Sequence, residues 1–380
     1  MKRGAFLLEA EEKFMQRAIR LAKRGEGRVS PNPLVGALIV KRGKVIAEGY
    51  HRKAGLPHAE VNALNLAGSQ SRGATLYVNL EPCAHYGRTP PCSKAIIRAG
   101  IKRVVVGIED PNPLVSGKGI RELEDAGIKT IVGVLEDASR RLNQTYIKYI
   151  TTKLPYLSLK MAMSLDGKIA TKTGSSFWIS GEASRSYVQR LRSLNDAVLV
   201  GIGTVIKDDP ELAVRLKSKS QALKKKKVIR IIVDSKARIP LNANVLTKCV
   251  DNPTIIATTK YAPLGKIRAL KARGAKVVIV KGQKGKVDLG ELMKKMGRLQ
   301  ISSILVEGGG NINASFLKEG LVDKVLFFIA PKIIGGRRSL TPVEGEGIKD
   351  LREAIKLTEV KVRKVGEDLL VEGDKINYEF

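Results

Sequence analysis

The chain has 380 residues, 43% hydrophobic and 28% charged, a balance that excludes a disordered chain and favours two domains. Its formal net charge is +31, from 68 Lys and Arg against 37 Asp and Glu, which points first to polyanions, yet only 4% aromatics leave few platforms for stacking bases. No apolar run approaches the about 18 residues of a membrane helix, residues 5–8 are too short for a secretory core, and three cysteines make no disulfide framework, so a cytoplasmic protein is expected.

Residues 8–24 read as a helix. Residues 37–50, ALIVKRGKVIAEGY, read as a hairpin turning at Lys41-Arg42-Gly43-Lys44. Pro57 opens a helix with Val61, Leu64 and Ala67 on its buried stripe, which puts His58 and Glu60 in the first turn. A strand over 74–80 runs into Glu81-Pro82-Cys83, and after a Gly/Pro loop Pro91-Cys92 opens a helix ending near Gly100. Residues 103–108 suit a buried strand, Asp110-Pro111-Asn112-Pro113 break the pattern, and a helix (120–126), a strand (130–135) and a polar helix (136–150) follow. Helices interleaved with strands predict a three-layer α/β sandwich. Lys153-Leu154-Pro155 is the boundary candidate, dividing the chain into domains 1–150 and 151–380.

The second half again alternates strands and helices. Residues 157–170 begin as a strand and turn at Asp166-Gly167. Residues 184–194 are helical, and residues 196–210 read as a strand running into a loop. VIRIIVDS, PTIIATT and AKVVIVKG read as strands, and 301–316 as a strand, a Gly-rich turn and a helix start. The tail, 359–380, alternates like antiparallel strands. Residues 216–227 form a Lys-rich patch that reads as a solvated loop.

The scarce residues cluster. All three histidines (His51, His58, His85) and two of the three cysteines (Cys83, Cys92) fall in one stretch. Helix N-termini favour thiolate, the metal-binding form of cysteine. His58, Cys83 and Cys92 therefore make a three-ligand zinc site with a fourth position open to water. Glu60 is then the natural proton shuttle to a leaving amine. Zinc nucleobase deaminases carry H-x-E…P-C-x-x-C, but here eight residues, not two, separate the cysteines. On spacing alone His85 is a further candidate ligand or a substrate contact in the loop.

Three runs share one resemblance: Pro31-Asn32-Pro33-Leu34-Val35-Gly36, then Gly49-Tyr50-His51 with 54–60, then Glu81-Pro82-Cys83 through Pro91-Cys92. They resemble the bifunctional riboflavin-biosynthesis family, a pyrimidine deaminase joined to a reductase, in which the long inter-cysteine loop is the rule. The resemblance implies zinc on His58, Cys83 and Cys92 and proton transfer by Glu60. It implies substrate contacts at Asn32, His51 and His85. Arg52, Lys53 and Arg88 are candidates for a ribose phosphate or plain surface charges.

Further motifs resemble the reductase half: 160–168, Ser176-Phe177-Trp178-Ile179, Gly203-Thr204-Val205, 208–212 and Val306-Glu307-Gly308-Gly309. That half is dihydrofolate-reductase-like and uses NADPH. The resemblance implies NADPH contacts at Ala162, Trp178, Thr204, Asp208, Ser235 and the turn Gly309, Gly310, Asn311, Ile312, Asn313, Ala314 and Ser315. It implies substrate contacts at Ser176, Arg192, Leu212, Arg215 and Glu307. Arg192 and Arg215 suit phosphate oxygens, although an arginine taken singly is more often a surface charge. Trp178 is a core residue or a wall of the site. Lys160 and Asp208 are the candidates for the proton of the reductive step, and Lys236 and Arg238 for a 2′-phosphate.

The expected partners are phosphorylated pyrimidine substrates, with no membrane and no nucleic acid, and a homodimer or homotetramer. Two other readings stay open: a polynucleotide deaminase with an accessory domain, and a basic module whose zinc is structural and closed by His85.

Overall fold

The computed structural model describes residues 2–86, 90–176, 178–215, 226–247, 249, 252–283 and 285–375. Arg88 and most of the Lys-rich patch lie outside the described residues. The chain forms two compact units, Met1–Lys153 and Leu154–Phe380. Among the described residues no helix is long and apolar enough to cross a membrane.

The first unit is built on five strands: β1 (Gly36–Lys41), β2 (Lys44–Tyr50), β3 (Thr75–Val78), β4 (Arg103–Val106) and β5 (Lys129–Val132), in the order β2-β1-β3-β4-β5. The β1 strand is antiparallel to β2 and β3, whereas β3, β4 and β5 are parallel. Alternation along the strands fills two cores, because successive side chains point to opposite faces. Ala37, Ile39, Leu76, Val78, Val104 and Val106 face helices α2 (Ala59–Ala67), α3 (Cys92–Arg98), α4 (Lys118–Asp125) and α6 (Gln144–Thr152). Leu38, Val40, Tyr77 and Val105 face α1 (Lys2–Ala22) and α5 (Glu136–Leu142). The result is the three-layer sandwich.

One expected element is corrected in this unit. Residues 136–150 form not one helix but α5 and α6, which part at Asn143. The Asn143 side chain accepts from Leu34 N–H (2.8 Å) and donates to Leu34 C=O (3.1 Å), a tie to a distant loop that a straight helix would break. The strand expected over 130–135 also ends at Val132, since Leu135 turns left-handed at φ 53° ahead of α5.

The second unit carries β6 (Tyr156–Ser164), β7 (Ala197–Gly201), β8 (Ile229–Val233), β9 (Thr254–Thr258), β10 (Lys276–Ile279), the small hairpin β11 (Gly282–Gln283) and β12 (Lys286–Val287), β13 (Ser303–Val306), β14 (Lys324–Ala330), β15 (Leu357–Val365) and β16 (Asp368–Lys375). Nine of these form one sheet, β10-β9-β8-β7-β13-β6-β14-β16-β15. It is parallel from β10 to β14 and antiparallel at β16 and β15. Strands β7 to β10 step outward, and the chain then returns to insert β13 between β7 and β6. Such a reversal opens a crevice at the carboxyl ends of the strands, where α/β sheets bind ligands. After α7 (Glu182–Leu194), residues 202–208, expected as loop, form helix α8 (Ile202–Asp208). Ile202 and Val205, three apart, are buried in the core behind β7, and that burial winds the segment.

Candidate functional site

The first site sits on two helix N-termini. His58 caps α2, Cys92 is the first residue of α3, and Cys83 lies in the loop after β3. The α2 helix is held close to β2 because Gly49 has no side chain; a Cβ there would lie 2.2 Å from Ala59 C=O. His58 Nδ1 lies 3.6 Å from Cys83 Sγ and 3.3 Å from Cys92 Sγ. The three ligand atoms all lie within 4.8 Å of one another, and His85 is not part of the group. One imidazole and two thiols suit zinc, and the group includes no fourth protein ligand among the described residues, which is what a closed structural zinc would need. Cys92 N–H donates to Cys83 Sγ at 3.5 Å. The bonded Cys92 thiol brings the Cys83 thiol down to about 4 against the opposing pull of burial, and His58 assists. Cys92 is raised, first by the bond to Cys83 and then by burial.

Glu60 is 3% exposed, and its Oε2 has no hydrogen-bond partner. A buried carboxylate oxygen without a partner is costly unless water or a ligand meets it. Burial lifts this carboxyl to about 7, with His58 opposing. A group that titrates near neutrality both takes and returns a proton. His51 is buried and held below its ordinary value chiefly by that burial. Its Nδ1 donates to Pro57 C=O at 3.3 Å, so Nε2 is the acceptor for Asn32 Nδ2–H at 3.1 Å. The His51 and His58 rings meet edge to face at 5.2 Å. His85 is half-buried, and its Nδ1 has no partner.

The residue that sequence reasoning left without a role is Glu81. It is buried, and its carboxylate accepts from four backbone N–H groups: Asp110 and Gly117 at Oε2 (both 3.0 Å), Gly119 (2.9 Å) and Ile120 (3.3 Å) at Oε1. Gly119 approaches so closely that a Cβ would lie 1.9 Å from Pro82 C=O. Glu81 therefore docks the start of α4 against the segment that carries Cys83. Its place two residues before a ligand was the only sequence signal.

The second site gathers at the carboxyl ends of the parallel strands. Ala162 lies on β6, Thr204 and Asp208 on α8 after β7, Ser235 after β8, and Glu307 after β13. Gly309 caps the helix Gly310–Lys318, and a Cβ on Gly309 would meet nothing within 4 Å. That open face at a helix N-terminus fits a pyrophosphate, so the residues present suit a dinucleotide. Gly310 and Asn313 are engaged inside the protein. A Cβ at Gly310 would lie 2.5 Å from Thr341 C=O, and Asn313 Nδ2 donates to Pro342 C=O at 2.9 Å.

Arg192 forks onto Glu307, with Nε to Oε1 at 2.6 Å and Nη2 to Oε2 at 3.1 Å, and Nη1 donates to Ala213 C=O. Lys160 Nζ lies 3.9 Å from Glu307 Oε2. Burial lowers Lys160 and nearby Arg192 lowers it further, while Glu307 opposes both. Glu307 is held below the usual carboxylate range by these two cations, despite its burial. Arg215 pairs with Glu211 at 2.5 Å on the surface. Asp208 is exposed at the end of α8, and Ser176 is half-buried. Trp178 is not a core residue; it is 57% exposed, with Arg185 3.8 Å above its ring. Trp178 (φ 62°) and buried Leu212 (φ 52°) are both left-handed, a strained conformation for large side chains that concentrates at ligand sites.

Residues 155–371 match the model of the RibD C-terminal domain, and residues 8–108 that of the cytidine and deoxycytidylate deaminase zinc-binding region. The riboflavin biosynthesis protein RibD of Aquifex aeolicus is 48% identical over 363 residues, covering 96% of this chain and 98% of its own. The chain belongs to the RibD family. It is a bifunctional deaminase and reductase of riboflavin biosynthesis, with a zinc-binding deaminase domain and an NADPH-type, dihydrofolate-reductase-like domain. The structure of Acinetobacter baumannii RibD superposes with a TM-score of 0.86 at 38% identity, covering 97% of this chain and 99% of that one. A Thermotoga maritima diaminohydroxyphosphoribosylaminopyrimidine deaminase/5-amino-6-(5-phosphoribosylamino)uracil reductase gives 0.84 at 37% identity, with coverage of 97% and 99%. The match over 155–371 decides against a polynucleotide deaminase with an unrelated accessory domain.

Proposed function

We propose that the first unit hydrolyses the 2-amino group of 2,5-diamino-6-(5-phosphoribosylamino)pyrimidin-4(3H)-one. The second unit then reduces the ribosyl group of 5-amino-6-(5-phosphoribosylamino)uracil to ribityl. The observation that carries the first step is the partnerless Oε2 of Glu60 beside the His58, Cys83 and Cys92 set. His58, Cys83 and Cys92 would hold a zinc ion, which would supply an activated water. Glu60 takes a proton at Oε2 and gives it to the departing amine, so water adds, ammonia leaves and the carbon becomes a carbonyl. His51, fixed neutral between Asn32 and Pro57, contacts the pyrimidine with Asn32 and His85.

In the second unit a bound NADPH would supply the hydride for C1′ of the ribosyl group. Ala162, Trp178, Thr204, Asp208, Ser235 and the turn 309–315 hold the cofactor. Ser176, Arg192, Leu212, Arg215 and Glu307 hold the substrate. Lys160 donates the proton to the ring oxygen that C1′ releases: it touches Glu307, whereas Asp208 ends an exposed turn. The protein works in the cytoplasm as a homodimer or homotetramer. The exposed edge strand β15, which carries Val360 and Val362, is the edge that assembly would cover. Light scattering should return two or four times the 41.4 kDa chain mass; a monomer at working concentration rejects the assembly.

One assay tests the pair of reactions. Incubated with the diamino substrate, the protein should release ammonia without NADPH, and should oxidise NADPH only as ammonia accumulates. Elemental analysis should find about one zinc per chain. Active protein free of zinc would sink the metal reading, and NADPH oxidation ahead of ammonia release would sink the order.

A further inference from the structure

The segment between β6 and α7 starts at the carboxyl end of β6, the side of the sheet on which the parallel strands β7 and β13 also end. It carries Ser176 and Trp178. Trp178 is left-handed at φ 62° and 57% exposed. Neither state follows from its own chemistry. A large side chain is strained at positive φ, and an indole gains by burial, so the surroundings must hold it there.

Two cations from separate elements do so. Arg185, near the start of α7, sets its guanidinium carbon 3.8 Å from the centre of the indole ring. That is stacking contact, and the negative face of an indole attracts a cation placed over it. The guanidinium is itself anchored, since Nη1 donates to Ser180 C=O at 2.6 Å. Lys332, which follows β14, donates from Nζ to Trp178 C=O at 2.8 Å. The Lys332 segment is tied to the end of β6. Leu165 N–H donates to Lys332 C=O at 2.8 Å, and Asp166 accepts from Ile334 N–H (3.0 Å) and Gly335 N–H (2.7 Å). The start of α7 is fixed as well, because Gly181 N–H donates at 2.8 Å to the buried carboxylate of Asp368, the first residue of β16.

We propose that Arg185 is a positioning residue of the reductase: stacked on Trp178, with Lys332 holding the backbone, it presets the indole plane as a wall for a planar ring of NADPH. The inference rests on the reading of Trp178 as a cofactor contact. A preset wall spares the ordering of a bulky side chain on binding, and affinity rises by that saving. Arginine suits the task better than lysine, because its flat guanidinium can stack on the ring while donating in its own plane to a fixed carbonyl.

Trp178 is the only tryptophan of the chain, so intrinsic fluorescence reads this contact alone. Acrylamide quenching and anisotropy of the indole, with NADPH affinity by calorimetry, are measured on the full chain. The variants are Arg185→Gln, Arg185→Lys, Trp178→Phe and the Arg185→Gln/Trp178→Phe double. Arg363→Gln is the control, since Arg363 makes a like stack on Tyr187 of the same helix, 4.7 Å from that ring. Before any cofactor is added, Arg185→Gln should be quenched more strongly and show lower anisotropy than wild type. It should weaken NADPH roughly 3- to 30-fold, the span of a cation–π contact from exposed to desolvated sites. Arg185→Lys should recover part of both effects, and Arg363→Gln should match wild type. In the double variant the arginine loss should add little to the tryptophan loss, because one acts through the other. Should Arg185→Gln not fold, Arg185→Lys against Arg363→Gln carries the same comparison. Wild-type NADPH affinity in Arg185→Gln, or losses that multiply in the double variant, overturns the positioning role and leaves Trp178 as a contact. If calorimetry shows NADPH bound while the wild-type indole emission is unchanged and Trp178→Phe binds like wild type, the cofactor reading of Trp178 fails, and this inference with it.

Discussion

Replacing Glu60 by glutamine is expected to abolish ammonia release while zinc content and NADPH-dependent reduction of supplied uracil intermediate stay intact. Glutamine has the shape of glutamate but cannot carry a proton between water and amine. Loss of a positioned general acid–base costs roughly 10²- to 10⁴-fold. Zinc should remain, because the group placed to hold it is His58, Cys83 and Cys92 and Glu60 is not among them. The fold should remain as well. Glu60 lies in the first turn of α2, and Oε2, the atom whose chemistry is lost, has no protein partner to forfeit. Burial already holds this carboxyl near 7, so the neutral amide adds no new desolvation cost. The measurements are ammonia release, elemental zinc and NADPH absorbance on one preparation. If reduction vanished together with deamination in a folded variant, the division of labour between the two units would be wrong.

The grouping of His58, Cys83 and Cys92 was legible because these residue types are scarce. With three histidines in 380 residues, their crowding near two cysteines carries information that Lys or Glu crowding would not. Helix starts at Pro57 and Pro91 then supplied the geometry. The partners of these residues were not legible. Glu81 binds backbone N–H groups up to 39 residues away, and backbone donors leave no mark on side-chain identity. Arg192 and Glu307 stand 115 residues apart, and only the insertion of β13 beside β7 brings them together. The helix α8 was hidden because Gly201 and Gly203 read as loop, while its cause is tertiary burial of Ile202 and Val205. The helix Leu289–Arg298 was not among the expected elements, although its start carries a signal. Asp288 caps it by accepting from Glu291 N–H at 2.9 Å, the spacing of a capping box. The strand β14, KVLFFIA, is an apolar run that was not among the expected elements, and it lies in the sheet between β6 and β16.

Replacing Glu307 by glutamine is expected to cost the second unit about 3–5 kcal/mol and to stop the reductase, because it strands two buried cations. Glu307 accepts both arms of Arg192 and faces Lys160, and all three side chains are mostly buried. Glutamine can accept from Arg192 at its carbonyl oxygen, but its amide nitrogen faces a donor, and neither cation is neutralised. The loss has a pH signature. Lys160 already sits below its ordinary value through burial, with Arg192 adding to that effect and Glu307 opposing it. Without Glu307 it falls further. Between its folded value and the ordinary value of 10.5, the unfolded chain binds more protons than the folded one, so stability rises with pH. The deficit of the variant should therefore be largest near neutrality and should shrink as pH climbs through the lowered value of Lys160. Urea unfolding of wild type, Glu307→Gln, Lys160→Met and the double variant, repeated at neutral and alkaline pH, measures this. In the double variant one of the two cations is gone, so part of the loss should return, and the coupling in the cycle should exceed about 1 kcal/mol. A deficit that is small, or the same at every pH, would mean that the three charges do not share one buried site.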